Sequence, residues 1–294
     1  MTSARDSAAL VALLRLERRP AQEYSELLEE TGSAVTVLND ELRGASGQAS
    51  LLPEDPEPAI ARAEAEIAAW QAAGYRLLTI LDAEYPANLR RVHDRPPMVF
   101  VAGKLSDADD RSVAVIGSRR ASGAGLATAT RVAEHLVGGG YVVVSGLAAG
   151  VDTTAHATAL AAGGRTVAVI GTGLGRSYPP ENAALQQRIA EEGAVISQFW
   201  PDQPPTRRSF PMRNAVMSGL ALGTVVVEAS VRSGARVQAR RALAHGRPVF
   251  LARAVLGQPW AAELAGRPGV QVIDAPDEIT STIERLNAAD ALDE

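Results

Sequence analysis

The stretch VAVIG at residues 113–117 is a run of apolar residues closed by a glycine, and similar runs recur along the chain. Uninterrupted Val/Ile runs are typical of strands that are buried on both faces. The segments between the runs have the length and composition of helices. This alternation predicts an α/β fold built on a doubly wound, mainly parallel sheet. The other predicted strands are YVVVSG (141–146), TVAVIG (166–171), AVIS (194–197), GTVVVE (223–228), RPVFL (247–251) and VQVI (270–273), and the predicted helices are 123–138, 152–162, 181–192 and 234–245.

The first 74 residues have a different pattern. Apolar residues recur at helical spacing over 8–30 and over 58–73, whereas 44–57 is rich in Gly, Ser, Pro and acidic residues and is predicted to be an exposed loop. We therefore predict a small helical domain at 1–74 that packs against a sheet domain at 75–294. A last helix is expected to begin near Asp277.

Composition narrows the functional classes. The chain has 294 residues, of which 46% are hydrophobic, and it contains no cysteine. A disulfide framework, a thiolate metal site and a cysteine nucleophile are thereby excluded, and we predict neither a bound metal nor any other cofactor. No run approaches about 18 consecutive apolar residues, and no signal peptide is evident. We expect a cytoplasmic protein with no membrane partner.

Charge is distributed unevenly. The net charge is −5, which argues weakly against a nucleic-acid partner. From residue 200 to 253, however, nine arginines stand against Asp202 and Glu228, a local balance of +7. This stretch is the candidate anion-binding face. Its arginines are at positions 207, 208, 213, 232, 236, 240, 241, 247 and 253.

Ligands of parallel sheets bind beyond the carboxyl ends of the strands, so the residues directly after each run are candidates. Gly117-Ser118-Arg119-Arg120 follows the first run and precedes a helix. The glycine permits a sharp turn, and the free amides and Arg119 suit a phosphate, although an ordinary strand-to-helix turn has the same composition. No Walker A sequence occurs, and the stretch 171–176 misses the dinucleotide fingerprint because it ends in arginine.

The second run leads into SGLAAGVDTTAH at 145–156. Gly146 lets the backbone approach a ligand, and Asp152 is predicted to be the N-cap of the following helix. His156 is interpreted as a structural histidine, because no paired acid or nucleophile is evident beside it. We therefore predict no enzymatic activity.

The segment RRSFPMRN at 207–214 places three arginines around one aromatic residue. Such a pattern suits single-stranded nucleic acid, because the ring stacks on a base while guanidinium groups bind phosphates. A solvated basic loop with Phe210 in the core is the alternative. Glu228, at the end of a predicted strand, is expected either to hydrogen-bond a loop or to pair with Arg232, and both roles are structural.

Together these stretches resemble the DNA-processing A (DprA/Smf) family. The matching motifs are VIGSRRAS (115–122), VVSGLAAGVDTTAH (143–156), GGRTVAVIGTGLGRSYPPEN (163–182), FPMRN (210–214) and VVVEASVRSGA (225–235). The resemblance implies an extended Rossmann-like fold with a SAM-like helical N-terminal domain, and a homodimer. It also implies binding and protection of incoming single-stranded DNA, and loading of the RecA recombinase onto that DNA during natural transformation and recombination.

The resemblance also assigns residues to the DNA site. Gly117, Ser118, Arg119 and Arg120 would form one wall, Gly146 would let the strand approach, and the other wall would hold Arg207, Phe210, Arg213 and Asn214. The sequence departs from the family pattern at Gln198, Ala215, Ala252-Arg253 and the segment that follows Gly234, on one side of the presumed pocket. These departures leave the exact ligand open. We expect no winged-helix domain after Ile273.

Two other functions stay open. Nucleotide phosphoribohydrolases of the related Rossmann superfamily carry a Pro-Gly-Gly-x-Gly-Thr-x-x-Glu element, where this chain has Glu228-Ala-Ser-Val-Arg-Ser-Gly. A nucleotide-binding sensor in a defence or signalling system is the second alternative, with which the departures from the family pattern are compatible.

Overall fold

The computed structural model describes residues 3–45, 55–230 and 233–293. Four helices come first, and strands and helices alternate after them. The helices are α1 (Ala4–Arg15), α2 (Ala21–Thr31), α3 (Ala34–Ala45), α4 (Glu57–Ala72), α5 (Ala87–Arg90), α6 (Gly123–Gly138), α7 (Val151–Ala161), α8 (Ala183–Glu192), α9 (Ser209–Leu220), α10 (Ala235–Ala244), α11 (Pro259–Ala265) and α12 (Asp277–Asp293). The strands are β1 (Tyr75–Thr79), β2 (Met98–Gly103), β3 (Ser112–Gly117), β4 (Val142–Ser145), β5 (Thr166–Val169), β6 (Ala194–Ser197), β7 (Thr224–Glu228), β8 (Val249–Ala252) and β9 (Val270–Ile273).

The described strands form one sheet in the order β1-β2-β6-β5-β4-β3-β7-β8-β9. All pairs from β6 to β9 are parallel, whereas β1 and β2 pair antiparallel with each other and β2 pairs antiparallel with β6. The predicted doubly wound, mainly parallel sheet is confirmed. The antiparallel edge made by β1 and β2 was not predicted.

Successive residues of the central strands point into two different apolar layers, as the two-residue period of a strand requires. Val113 and Val115 of β3 pack in one hydrophobic cluster with side chains of α6 and α7. Ala114 and Ile116 pack in the other, on the opposite face. Helices therefore cover the sheet on both sides, which explains why the strands are uninterrupted Val/Ile runs.

The N-terminal helices pack against the sheet through aromatic contacts. The ring of Trp70 on α4 lies edge-on to Phe100 of β2 at 5.0 Å and stacks on Trp200 at 5.8 Å. The guanidinium of Arg15 lies 3.9 Å from the centre of a Trp200 ring. Apolar residues of α1 to α4 and of the sheet belong to one continuous cluster. The domain boundary at 74/75 therefore stays a prediction.

The order of the strands reverses at β3. The chain runs outward from β3 through β4, β5 and β6, and then returns to place β7 on the other side of β3. In open α/β sheets the crevice at such a reversal, beyond the carboxyl ends of the strands, is where ligands bind. Among the described helices none is long and apolar enough to cross a membrane.

Candidate nucleic-acid interface

A cleft of about 620 Å³ lies at this reversal, beyond the ends of β3 and β7. The loop after β3, one face of α9 and the start of α10 form its walls. Its lining residues are Ile116, Gly117, Ser118, Arg119, Arg120, Ala148, Asp152, Phe210, Arg213, Asn214, Met217, Ser230, Ser233, Gly234, Ala235 and Gln238. Seven of the nine residues predicted for the DNA site line this cleft.

The loop after β3 is fixed against the start of α7. Gly150 has a left-handed φ of 81°, and a Cβ atom there would lie 2.3 Å from the carbonyl oxygen of Ser118. The amide of Val151 donates to that oxygen at 3.2 Å, and the amide of Arg120 donates to Ser118 Oγ at 3.1 Å. The close approach of the two loops thus requires glycine at 150, and it holds Arg119 at the rim of the cleft.

Ser122 and Glu228 fix the other end of the same loop by hydrogen bonds. Ser122 caps α6 by accepting the amide of Gly125 at 3.0 Å. Its own amide donates to both carboxylate oxygens of Glu228, each at 3.1 Å. Glu228 therefore hydrogen-bonds a loop, one of the two structural roles expected for it, whereas Arg232 lies outside the described residues.

The segment predicted as a basic stretch around an aromatic residue is helical from Ser209 onward. The alternative of a solvated basic loop was wrong. Pro211 is compatible with the helix because it lies in the first turn of α9, where a backbone N–H has no acceptor within the helix. Phe210, Arg213, Asn214 and Met217 follow the spacing of one helical face. That face lines the cleft.

The aromatic and cationic side chains meet at the mouth of the cleft. The guanidinium of Arg119 lies 5.2 Å from the centre of the Phe210 ring. The ring of Tyr178 approaches Phe210 with a centroid distance of 5.6 Å, and Tyr178 is 42% exposed. Tyr178 belongs to the motif at 163–182 but was not among the residues predicted for the site. An aromatic pair beside a guanidinium can stack a base and bind the neighbouring phosphate.

Arg213 is a buried cation on the floor of the cleft, with only 6% of its surface exposed. A Cβ atom at Gly146 would lie 1.3 Å from Arg213 Nη1, so the guanidinium rests directly on the Gly146 backbone. Among the described residues Arg213 Nε has no hydrogen-bond partner. Burial lowers the pKa of Arg213. The charge of Asp152 opposes this decrease, and the charge of Arg119 adds to it. A buried guanidinium with an unused donor favours an anionic ligand.

Asp152 is not the N-cap of α7, contrary to the prediction. Gly150 occupies that position, because its left-handed φ lets the helix begin at Val151. The Asp152 carboxylate instead accepts the amides of Gly146 at 3.1 Å and Ala148 at 3.4 Å. Burial raises the pKa of Asp152, while the charge of Arg213 and these amides oppose that rise.

His156 lies beneath the cleft and is fully buried. Its Nδ1 lies 2.7 Å from Thr166 Oγ1, and the Thr166 hydroxyl donates to the carbonyl of Val143 at 2.6 Å. The Thr166 oxygen therefore accepts from Nδ1–H. Burial lowers the pKa of His156 to about 3, which keeps the ring neutral. These contacts agree with the structural role expected from the sequence.

Two predicted residues lie apart from the cleft surface. Gly146 is buried under Arg213 rather than exposed to a ligand. Arg207 is exposed just before α9, and among the described residues it does not contribute to the cleft lining. Of the four departures from the family pattern, Ala235 lines the cleft, whereas Gln198, Ala215 and Ala252 do not. The expectation that these departures lie on one side of the pocket is therefore wrong for most of them.

Comparison with known proteins decides the family. The model of the family described as DNA recombination-mediator protein A matches residues 76–281. The chain belongs to the DprA/Smf family. The DNA processing protein DprA of Bacillus subtilis is 31% identical over 227 residues, which cover 77% of this chain and 75% of that protein. DprA of Streptococcus pneumoniae is 42% identical over 172 residues, 58% of this chain and 61% of that relative.

Two solved DprA structures have the same fold. The X-ray structure of DprA from Streptococcus pneumoniae superposes with a TM-score of 0.66 at 31% identity, over 83% of this chain and 91% of the other. A DprA structure from Helicobacter pylori, described as giving insights into a single-stranded DNA binding mode, superposes with a TM-score of 0.63 at 27% identity, over 72% and 96%. The matched region spans 61% of the pneumococcal DprA sequence and 45% of the Smf protein of a Synechocystis strain.

Proposed function

We propose that the cleft between β3 and β7 binds single-stranded DNA. The observation that carries this proposal is the contact of Arg119 with Phe210 at 5.2 Å, next to the exposed ring of Tyr178. A ring face stacks on any base, and a guanidinium beside it neutralises the adjacent phosphate. The H. pylori DprA described by its single-stranded DNA binding mode has the same fold and supports this assignment.

The rim and the floor of the cleft bind different phosphates of the DNA. Arg119 and Arg120 are exposed on the loop after β3 and bind phosphates at the rim. Arg213 and Asn214 are buried on α9 and bind one phosphate on the floor. A duplex hides its base faces within the stack, so it could use the arginines but not the rings. Single strands are therefore preferred over duplexes.

We further propose that the protein acts in the cytoplasm as a homodimer without catalysing a reaction. It protects incoming single-stranded DNA and loads RecA onto it during transformation and recombination. The family's description as a recombination mediator supports this role. A recombinase-loading assay tests it: the protein should let RecA displace a single-strand binding protein, and the absence of any effect would refute this part.

The binding proposal is tested by fluorescence anisotropy of a labelled oligonucleotide, single- and double-stranded, over a salt series. Arg119→Ala is compared with Arg131→Ala, a control at an exposed arginine on α6 whose guanidinium contacts Thr128. We expect a preference for the single strand, and a log–log salt slope that is shallower by about 0.7 in Arg119→Ala only. Saturable binding of a mononucleotide without binding of the oligonucleotide would instead support a nucleotide sensor.

A further inference from the structure

Away from the cleft, His93, Asp94 and His245 gather where the chain before β2 meets the end of α10. His245 Nε2 lies 2.7 Å from Asp94 Oδ1. The rings of His93 and His245 are 5.3 Å apart at an interplanar angle of 77°. One possible ligand atom from each residue lies within 4.8 Å of the others. Neither the DNA site nor the family motifs quoted above explain the histidines.

Neighbouring residues hydrogen-bond to these side chains and fix their orientation, as the residues around a metal site do for the metal ligands. Ser218 Oγ donates to the carbonyl of Asn214 at 3.1 Å, so it accepts a hydrogen bond from His245 Nδ1–H at 2.9 Å. That bond leaves His245 Nε2 pointing at Asp94. Metal-binding histidines are held in the same manner, with the second ring nitrogen donating to a fixed acceptor.

Asp94 is oriented by a similar outer partner. Arg241 Nη1 donates to Asp94 Oδ2 at 2.7 Å, which leaves Oδ1 facing His245. His93 is exposed, so its ring can turn toward the pair from the solvent side. Two of the three candidate ligands are thus fixed by the fold, and the third can complete the set.

We propose that His93, Asp94 and His245 bind a zinc ion. Two imidazoles and one carboxylate are a donor set that Zn²⁺ accepts, with water as a fourth ligand, whereas Mg²⁺ and Ca²⁺ prefer oxygen ligands. Ligand atoms about 2.1 Å from a tetrahedral ion are about 3.4 Å apart. The ion therefore takes the place of the direct contact between His245 Nε2 and Asp94 Oδ1, and the two side chains separate slightly. The absence of cysteine, on which the prediction of a metal-free protein rested, excludes thiolate ligands but not this donor set.

The ion links three segments behind the cleft. Ser218 lies one helical turn beyond Asn214 on α9, and His245 follows the last residue of α10, whose Gln238 also lines the cleft. Ser218, His245 and Asp94 are also joined in the order of a hydrolytic triad, but Ser218 is fully buried and its hydroxyl donates to the main chain. The geometry therefore points to a structural ion and not to a nucleophile.

Calorimetric titration of ZnCl₂ into the full, untagged and metal-stripped chain tests the proposal. We expect one zinc ion per chain and a zinc-dependent rise in melting temperature. His93→Ala should weaken zinc binding about tenfold or more, since loss of an outer partner alone costs about 10- to 100-fold. His135→Ala is the matched control, because His135 lies on α6 and contacts Thr280 at 3.0 Å. It should bind zinc as the unmodified chain does.

Three results would overturn the zinc site: the absence of saturable binding, unchanged affinity in His93→Ala, or an equal loss in both variants. His93→Gln gives a second comparison if the alanine variant folds poorly. MgCl₂ in the same titration should give no heat of binding. Because single-stranded DNA binding is measured separately, failure of the zinc site leaves the proposed DNA cleft untouched.

Discussion

Adding one methyl group at Gly146 should weaken phosphate binding by Arg213 on the floor of the cleft. A Cβ atom at this position would lie 1.3 Å from Nη1 and 2.3 Å from Cζ of Arg213, so Gly146→Ala cannot coexist with the present guanidinium position. Overpacking of this kind costs about 1–3 kcal/mol of stability. Because only 6% of the Arg213 surface is exposed, its guanidinium has little free space, so it must shift and lose its alignment with a bound phosphate.

The size of the effect follows from the contact that is lost. A hydrogen bond to a charged group contributes about 1.5–3 kcal/mol, so the affinity for single-stranded DNA should fall about 10- to 150-fold. The log–log salt slope should become shallower by about 0.7, the value for one phosphate on a single strand. Anisotropy titrations over a salt series measure both quantities.

A double-mutant cycle makes the test specific. In an Arg213→Ala background the three atoms nearest to the added Cβ are gone, so Gly146→Ala should have little further effect on affinity. Gly138→Ala is the control, because a Cβ there meets nothing within 4 Å. The reasoning is refuted if Gly146→Ala binds DNA like the unmodified chain, or if it weakens binding equally in both backgrounds.

Three further predictions concern separate parts of the molecule. Phe210→Ala should weaken single-strand binding by about 1–3 kcal/mol in anisotropy titrations without changing the salt slope, because a stacked base and not a phosphate contact is lost. Burial lowers the pKa of His156 to about 3, whereas the unfolded chain takes up this proton below about pH 6.5. Urea unfolding should therefore show stability falling as the pH drops from about 6.5 toward 3, by up to about 1.4 kcal/mol per pH unit, and His156→Gln should remove that part of the slope. Phe100→Ala should lower the free energy of unfolding by about 3–5 kcal/mol, because a fully buried ring that contacts both Trp70 and Trp200 is lost.

Each of these predictions has an outcome that contradicts it. A shallower salt slope in Phe210→Ala would mean that the ring positions a phosphate contact. An unchanged pH slope in His156→Gln would mean that another group takes up the proton on unfolding. A loss below about 1 kcal/mol in Phe100→Ala would show that the N-terminal helices do not depend on this aromatic contact, since core truncations of this size cost more.

The sequence was sufficient for the central sheet, because each central strand is buried on both faces and leaves an uninterrupted apolar run such as 113–117. The strands β1 and β2 were missed. The run Tyr75–Thr79 is only partly buried, as suits an edge strand, and it gives a weak signal. The helix α9 was missed because Pro211 and three arginines look like a loop. Only the register of a helical face brings Phe210 and Arg213 together.

Contacts that join distant positions were beyond sequence reasoning. The glycine at 146 was predicted to face a ligand, but its neighbour is Arg213, which lies 67 positions later in the chain. His93 and His245 are separated by most of the sheet in sequence, so no spacing motif indicates that they meet. In both cases the parallel topology, and not the local pattern, determines which side chains become neighbours.

Photocrosslinking of an iodouracil-substituted single strand, followed by mass spectrometry of the crosslinked peptides, tests the proposed cleft most directly. If bases stack at the mouth of the cleft, the crosslinks should fall on peptides that contain Tyr178 or Phe210, and Arg119→Ala should reduce their yield. Crosslinks confined to the helices α1 to α4, or a yield unaffected by Arg119→Ala, would contradict single-strand binding in this cleft.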